Sequence, residues 1–182
     1  MDKRRLLIGL LILIAIPLYV WIQYYEIPSK AKVGESNRQQ DPLTHDFAQV
    51  LSLKSQYMGD ASNTSGLFQS LPLSEMKGPI EMDSEALSVT VHYEAAAEEL
   101  GDKAEQAVLY NTTAAFVLIQ NVEQVNMQFT DRSFTVTREN VKEWYGQDLS
   151  RLLEPESFQK VVQQPLQNDD LKKWLASYTK GE

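Results

Sequence analysis

The chain has 182 residues, 25 of them acidic and 17 basic, with two histidines and no cysteine. Beyond residue 25 lie 157 residues carrying 14 basic and 24 acidic side chains, a formal charge of −10. That length suits one domain with its own core, and the charge sets it against phosphate backbones and anionic headgroups, so nucleic acid is excluded as a partner. Without cysteine there is no disulfide, thiolate nucleophile, Cys-ligated zinc or lipid-modified cysteine, and packing alone must hold the fold.

Leu6 to Tyr25 is apolar and aromatic throughout and carries no charge. At about 1.5 Å per residue such a helix covers the roughly 30 Å of a bilayer core. It is longer than the apolar core of a cleaved signal, about 7 to 15 residues, and the small residues at Ser29-Lys30-Ala31 lie too far beyond it for cleavage. Lys3, Arg4 and Arg5 precede it, and Trp21, Tyr24 and Tyr25 suit a membrane interface. Residues 1–25 are therefore expected to be an uncleaved signal anchor, a transmembrane helix in the cell membrane with its N-terminus cytoplasmic and the remainder of the chain outside. Residues 26–41, with Pro, Gly, Ser and mixed charge, read as a polar stalk.

From Pro42 the apolar residues return. Phe47, Val50, Leu51 and Leu53 point to a short helix or turn, and Asp60 is placed to cap a helix through Leu67, Phe68 and Leu71 that stops near Pro72. Ile80 and Met82 mark a short strand, and Leu87 to Tyr93 alternates apolar and polar without a break. Lys103 to Ile119 has helical composition, with Ala104, Ala107, Val108, Ala115, Leu118 and Ile119 on one stripe together with Asn111. Val125, Met127 and Phe129, a turn at 130–133, then Phe134 and Val136 read as a hairpin. Thr137 caps a helix holding Val141, Trp144 and Tyr145, which ends at Gly146. Leu149, Leu152 and Leu153 follow, then Pro155 opens a segment with Phe158, Val161 and Val162. Asp169 or Asp170 starts a last helix with Leu171, Trp174, Leu175 and Tyr178. The order predicts an α+β fold over 42–153, an antiparallel sheet of about four strands with helices on one face, plus C-terminal helices in an extension, 154–182.

Chemistry is sparse. His45 and His92 form no HExxH or paired-His spacing and read as surface residues. The stretch from Asp60 to Gly66 lacks the glycine position and closing Glu of a calcium loop. Neither G-x-S-x-G nor S-x-x-K occurs. No catalytic residue, metal ligand or cofactor is expected. The candidate ligand loop is Tyr57, Gly59, Asp60, Ser62 and Asn63, together with Asn111, whose amide needs partners if it is buried. Trp144, Trp174 and Tyr178 are candidate partner-binding aromatics, although their helical spacing makes core packing or helix docking the safer reading.

Tyr57-Met58-Gly59-Asp60 with Ser62, the strand end Val91-His92-Tyr93, the segment Ala114 to Val122, and Thr137-Arg138-Glu139 through Trp144 resemble the bacterial domain of unknown function 4825, over roughly Asp46 to Leu153. The resemblance implies a Gram-positive, membrane-associated extracytoplasmic domain that accompanies regulatory membrane proteins, and it supplies no catalytic residues. The expected function is a single-pass membrane protein whose non-enzymatic outer domain binds an envelope protein in signalling or regulation. A small-ligand or cation sensor is the alternative, and a cell-envelope hydrolase ranks third.

Overall fold

The computed structural model describes residues 3–168 and 171–179, without the side chains of residues 3–10, 12, 25, 27–31 and 171–172. The chain divides after Arg38 into two compact units. In the first, helix α1 (Lys3–Trp21) contains Pro17 and leads through a π-helical turn, Ile22–Glu26, into α2 (Ile27–Gln39). The stretch read as a stalk is therefore helical over most of its length. Pro28 follows closely on the π-helical turn, and the Lys, Ala, Glu, Arg and Gln that come after it are good helix formers. Among the described residues no helix is long and apolar enough to cross a membrane.

The second unit is built on four strands, β1 (Lys77–Asp83), β2 (Ser88–Tyr93), β3 (Gln124–Gln128) and β4 (Ser133–Thr137), lying side by side in that order. The two outer pairs are antiparallel. The central pair is parallel, with Val89 opposite Val125 and Val91 opposite Met127. This corrects the expected antiparallel sheet to a mixed one. Between β2 and β3 run α4 (Ala97–Leu100) and α5 (Asp102–Leu118), and a crossover helix of that length returns the chain to the end of the sheet where β2 began.

Alternation along the strands sorts the faces as expected. Val89, Val91, Val125, Met127 and Val136 are fully buried, while Thr90, Asn126 and Thr135 stand in one row on the opposite face. There Asn126 donates to Thr90 and accepts from Thr135 and Gln124, each at 3.0 Å. Leu87 is not part of the strand. It holds φ 51° in the preceding turn, and its carbonyl accepts from Glu123 N at 2.8 Å. Pro79 and a register shift interrupt the outer strand β1, and Thr179 bridges the free side of β4 at Val136.

On the buried face lies α5, enclosed from Ala107 to Leu118 with no exposed side, the pattern of a helix covered all round. Around it stand α3 (Ala61–Ser70), the 3-10 segments Phe47–Leu53 and Leu149–Leu153, α6 (Arg138–Tyr145), α7 (Pro155–Phe158) and α8 (Leu171–Tyr178), and of these α6, α8, Leu149–Leu153 and the turn after α7 pack on it most. Thr112 and Thr113 donate their hydroxyls back to the carbonyls of Val108 and Leu109 at 2.7 and 2.6 Å, so these mid-helix polar groups are satisfied.

The segment expected as a C-terminal extension closes this core. Phe158 stacks on Phe47 with ring centres 3.8 Å apart and meets Tyr110 edge-on at 5.1 Å. The Gln163 amide donates to the carbonyls of Pro42 and His45 at 2.9 and 2.8 Å. Asp169 and Asp170, expected to open α8, lie outside the described residues.

His45 is also a correction. Expected at the surface, it is 3% exposed, with Nε2 2.9 Å from the Ser70 carbonyl and Nδ1 2.8 Å from the Tyr110 hydroxyl. A carbonyl only accepts, so Nε2 carries the proton and Nδ1 accepts from Tyr110. Burial lowers its pKa below 6.5, against the opposing pull of the Ser70 carbonyl and Asp46. The unfolded chain then takes up this proton first. His45 contributes its stability in full above about pH 6.5 and loses it as pH falls toward the folded pKa, by up to about 1.4 kcal/mol per pH unit. Urea unfolding between pH 7 and 5 should show this loss, and His45→Gln should flatten it.

Candidate functional site

Helix α5 ends inside the protein, and its last carbonyls need donors that water does not supply. One side chain supplies the donor for Phe116 O and reaches on to two carbonyls just past the helix. Arg138 donates from Nη1 to Phe116 O at 3.0 Å, from Nη2 to Ile119 O at 2.6 Å and from Nε to Val122 O at 2.7 Å. Its guanidinium carbon lies 5.3 Å from the centre of the Phe116 ring, and Glu123 approaches Nε at 3.6 Å. Burial lowers the Arg138 pKa, and Glu123 opposes this. Arg138 is itself the first residue of α6, whose N-cap, Thr137, accepts from Asn140 N at 3.3 Å.

The candidate ligand loop reaches the same place from the other side. Ser55 N donates to Leu118 O at 2.9 Å, and Gln120 N donates to Ser55 O at 3.0 Å. Met58 N donates to the Asn121 side chain at 2.6 Å, and Thr64 Oγ1 donates to Met58 O at 2.9 Å. Asp60 caps α3, accepting from Asn63 N at 3.1 Å, while the Asn63 amide donates to Leu53 O at 2.5 Å. Tyr57, Gly59 and Ser62 are exposed. The loop is thus a helix cap tied to the end of α5, with its polar side chains largely satisfied.

Asn111 does not join it. It is fully buried two turns earlier in α5, donating to Pro72 O at 2.9 Å and to the Tyr93 hydroxyl at 3.4 Å. There it ties the turn after α3 to the end of β2. Its Oδ1 has no hydrogen-bond partner among the described residues.

The candidate aromatics do come together. Trp144 stacks on Trp174 with centres 5.5 Å apart, and Trp174 meets Tyr145 and Tyr178 edge-on at 6.4 and 6.5 Å. Tyr178 is fully buried, its hydroxyl bonded to Thr113, and burial pushes its pKa up. Trp174 is 6% exposed. These two dock α8 onto α5 and α6. Only Trp144, at 47% exposure, presents a surface.

Beside Arg138 opens a cleft of about 220 Å³ lined by Lys54, Phe116, Val117, Gln120, Arg138, Lys142, Leu149, Ser150 and Leu153. Sequence reasoning did not find it. The one signal available was Arg138 and Lys142 at helical i,i+4 spacing, since Lys54 and Leu149 come from distant stretches. Among the described residues no group of three or more His, Cys, Asp or Glu is arranged to hold a metal.

A sequence model of the family described as domain of unknown function (DUF4825) matches residues 50–140, half of the chain, and the chain belongs to that family. No curated protein and no solved structure matches it. The matched span takes in Asp60, Asn121 and Arg138, and stops short of Lys142 and Trp144.

Two variants separate the contributions to this helix end. Asp60→Ala removes a cap and should cost about 1 kcal/mol. Arg138→Met strands three buried carbonyls and should cost about 3 kcal/mol or more. Denaturant titration of both variants beside the parent chain checks the ratio.

Proposed function

We propose that this member of the family is a single-pass protein of the cell membrane, held by residues 1–25 with its N-terminus in the cytoplasm, whose outer domain binds an envelope protein and performs no catalysis. The membrane reading is supported by the uncharged run from Leu6 to Tyr25 and the cations before it. It also agrees with the exposure of every described large apolar side chain from Leu11 to Tyr24, at 40–79%, since apolar side chains left in water would carry a large cost.

The observation that carries the partner reading is Trp144. Among the described residues of the second unit the exposed large hydrophobic ones are Tyr57, Met76 and Trp144, at 65%, 38% and 47%. Of these, Trp144 is held against a buried indole. A rigid, half-exposed tryptophan loses little entropy on binding and offers a large apolar face, the profile of an interface anchor.

Crosslinking of intact cells is expected to trap the outer domain with a protein partner. Trp144→Ala should weaken that association by about 2 kcal/mol, roughly thirtyfold, with the melting temperature nearly unchanged. A single cysteine placed at Ser133 of this cysteine-free chain should react with a membrane-impermeant maleimide on whole cells. An outer domain always found alone would sink the partner reading, and a cysteine reactive only after lysis would sink the topology.

A further inference from the structure

The charges around the cleft beside Arg138 run against the composition of the domain. Residues 39–182 contain twice as many acidic as basic side chains, yet the cleft is lined by Lys54, Arg138 and Lys142 and by no acid. Arg138 is already engaged by three carbonyls and Glu123. The ammonium groups of Lys54 and Lys142, in contrast, make no ion pair among the described residues.

Phe116 O, Ile119 O and Val122 O are taken by Arg138 and Leu118 O by Ser55 N, so these four carbonyls do not need the two lysines. The nearby Asp148 accepts from Ser150 N at 2.8 Å, and its charge is answered by Arg151. Two unpaired cations held at one opening favour an anion there. The rest of the lining is apolar, from Phe116, Val117, Leu149 and Leu153, or neutral and polar, from Gln120 and Ser150. At about 220 Å³ the space exceeds the roughly 150 Å³ of an engineered cavity that takes up benzene, enough for one amino-acid-sized group.

We propose that this cleft is a binding site for a small organic carboxylate bearing one apolar side chain, with Lys54 and Lys142 holding the carboxylate and the apolar lining receiving the side chain. It is separate from the partner surface at Trp144, which does not line it.

The test is a titration of the ¹⁵N-labelled full chain in detergent micelles, followed by amide chemical shifts, with N-acetyl-leucine as the probe. N-acetyl-leucinamide serves as the neutral control and inorganic phosphate as the bare anion. Saturable shifts at Gln120, Lys142 and Ser150 are expected with N-acetyl-leucine at about millimolar concentration. Binding should be about tenfold weaker or more for the amide, for phosphate, and in Lys54→Glu and Lys142→Glu, whose exchanged charges lie on accessible side chains. The proposal is overturned if the amide or phosphate binds as well as the acid, if both lysine variants bind like the parent, or if these amides do not move up to about 20 mM of the acid. None of these results bears on whether Trp144 contacts a protein.

Discussion

Three carbonyls at and just beyond the end of a buried helix, those of Phe116, Ile119 and Val122, converge on the single guanidinium of Arg138. A helix leaves its last carbonyls unpaired, and α5 ends where solvent does not reach. Arginine meets the need because its planar fork sends N–H groups in several fixed directions at once, which a lysine ammonium does not. The donor comes from beyond two further strands, so the second hairpin must be in place before the central helix is closed. The neighbouring residue, Thr137, caps α6. Two consecutive residues thus end one helix and begin the next.

Three of the four stretches that carry the family likeness meet at this junction, all but Val91-His92-Tyr93. Asp60 and Met58 arrive from one side, Asn121 follows the end of α5, and Thr137 and Arg138 arrive from the other. Their polar atoms hold one another and the backbone. A shared pattern of this kind identifies a way of building the domain, and the surfaces free to meet other molecules lie next to it, at Lys54, Lys142 and Trp144.

Much of this was legible beforehand. Strand alternation placed Val89, Val91, Val125, Met127 and Val136 in the core, and the caps at Asp60 and Thr137 fall where their residue types indicated. What alternation does not encode is pairing direction, because a strand has the same two faces whether its neighbour runs with or against it. The parallel join of β2 to β3 therefore went unseen. Local periodicity likewise marks Phe158 as buried without saying against what, and its stacking on Phe47 relates residues more than a hundred positions apart. His45 and Arg138 are polar residues beside caps and turns, and only the fold shows the carbonyls waiting for them. The pairing of Asn111 with the loop at Asp60 failed for a geometric reason: seven residues before the end of α5, it faces Pro72 and Tyr93.

The borders of the sheet have a further consequence. A strand with one side open offers free N–H and C=O groups to any other strand that comes near. Here β1 carries Pro79 and an irregular register on its outer side, and Thr179 lies across β4 at Val136. Neither border presents a long even row of backbone groups. Copies crowded together on one surface would have no ready template for joining sheet to sheet, so the domain can be abundant without polymerising.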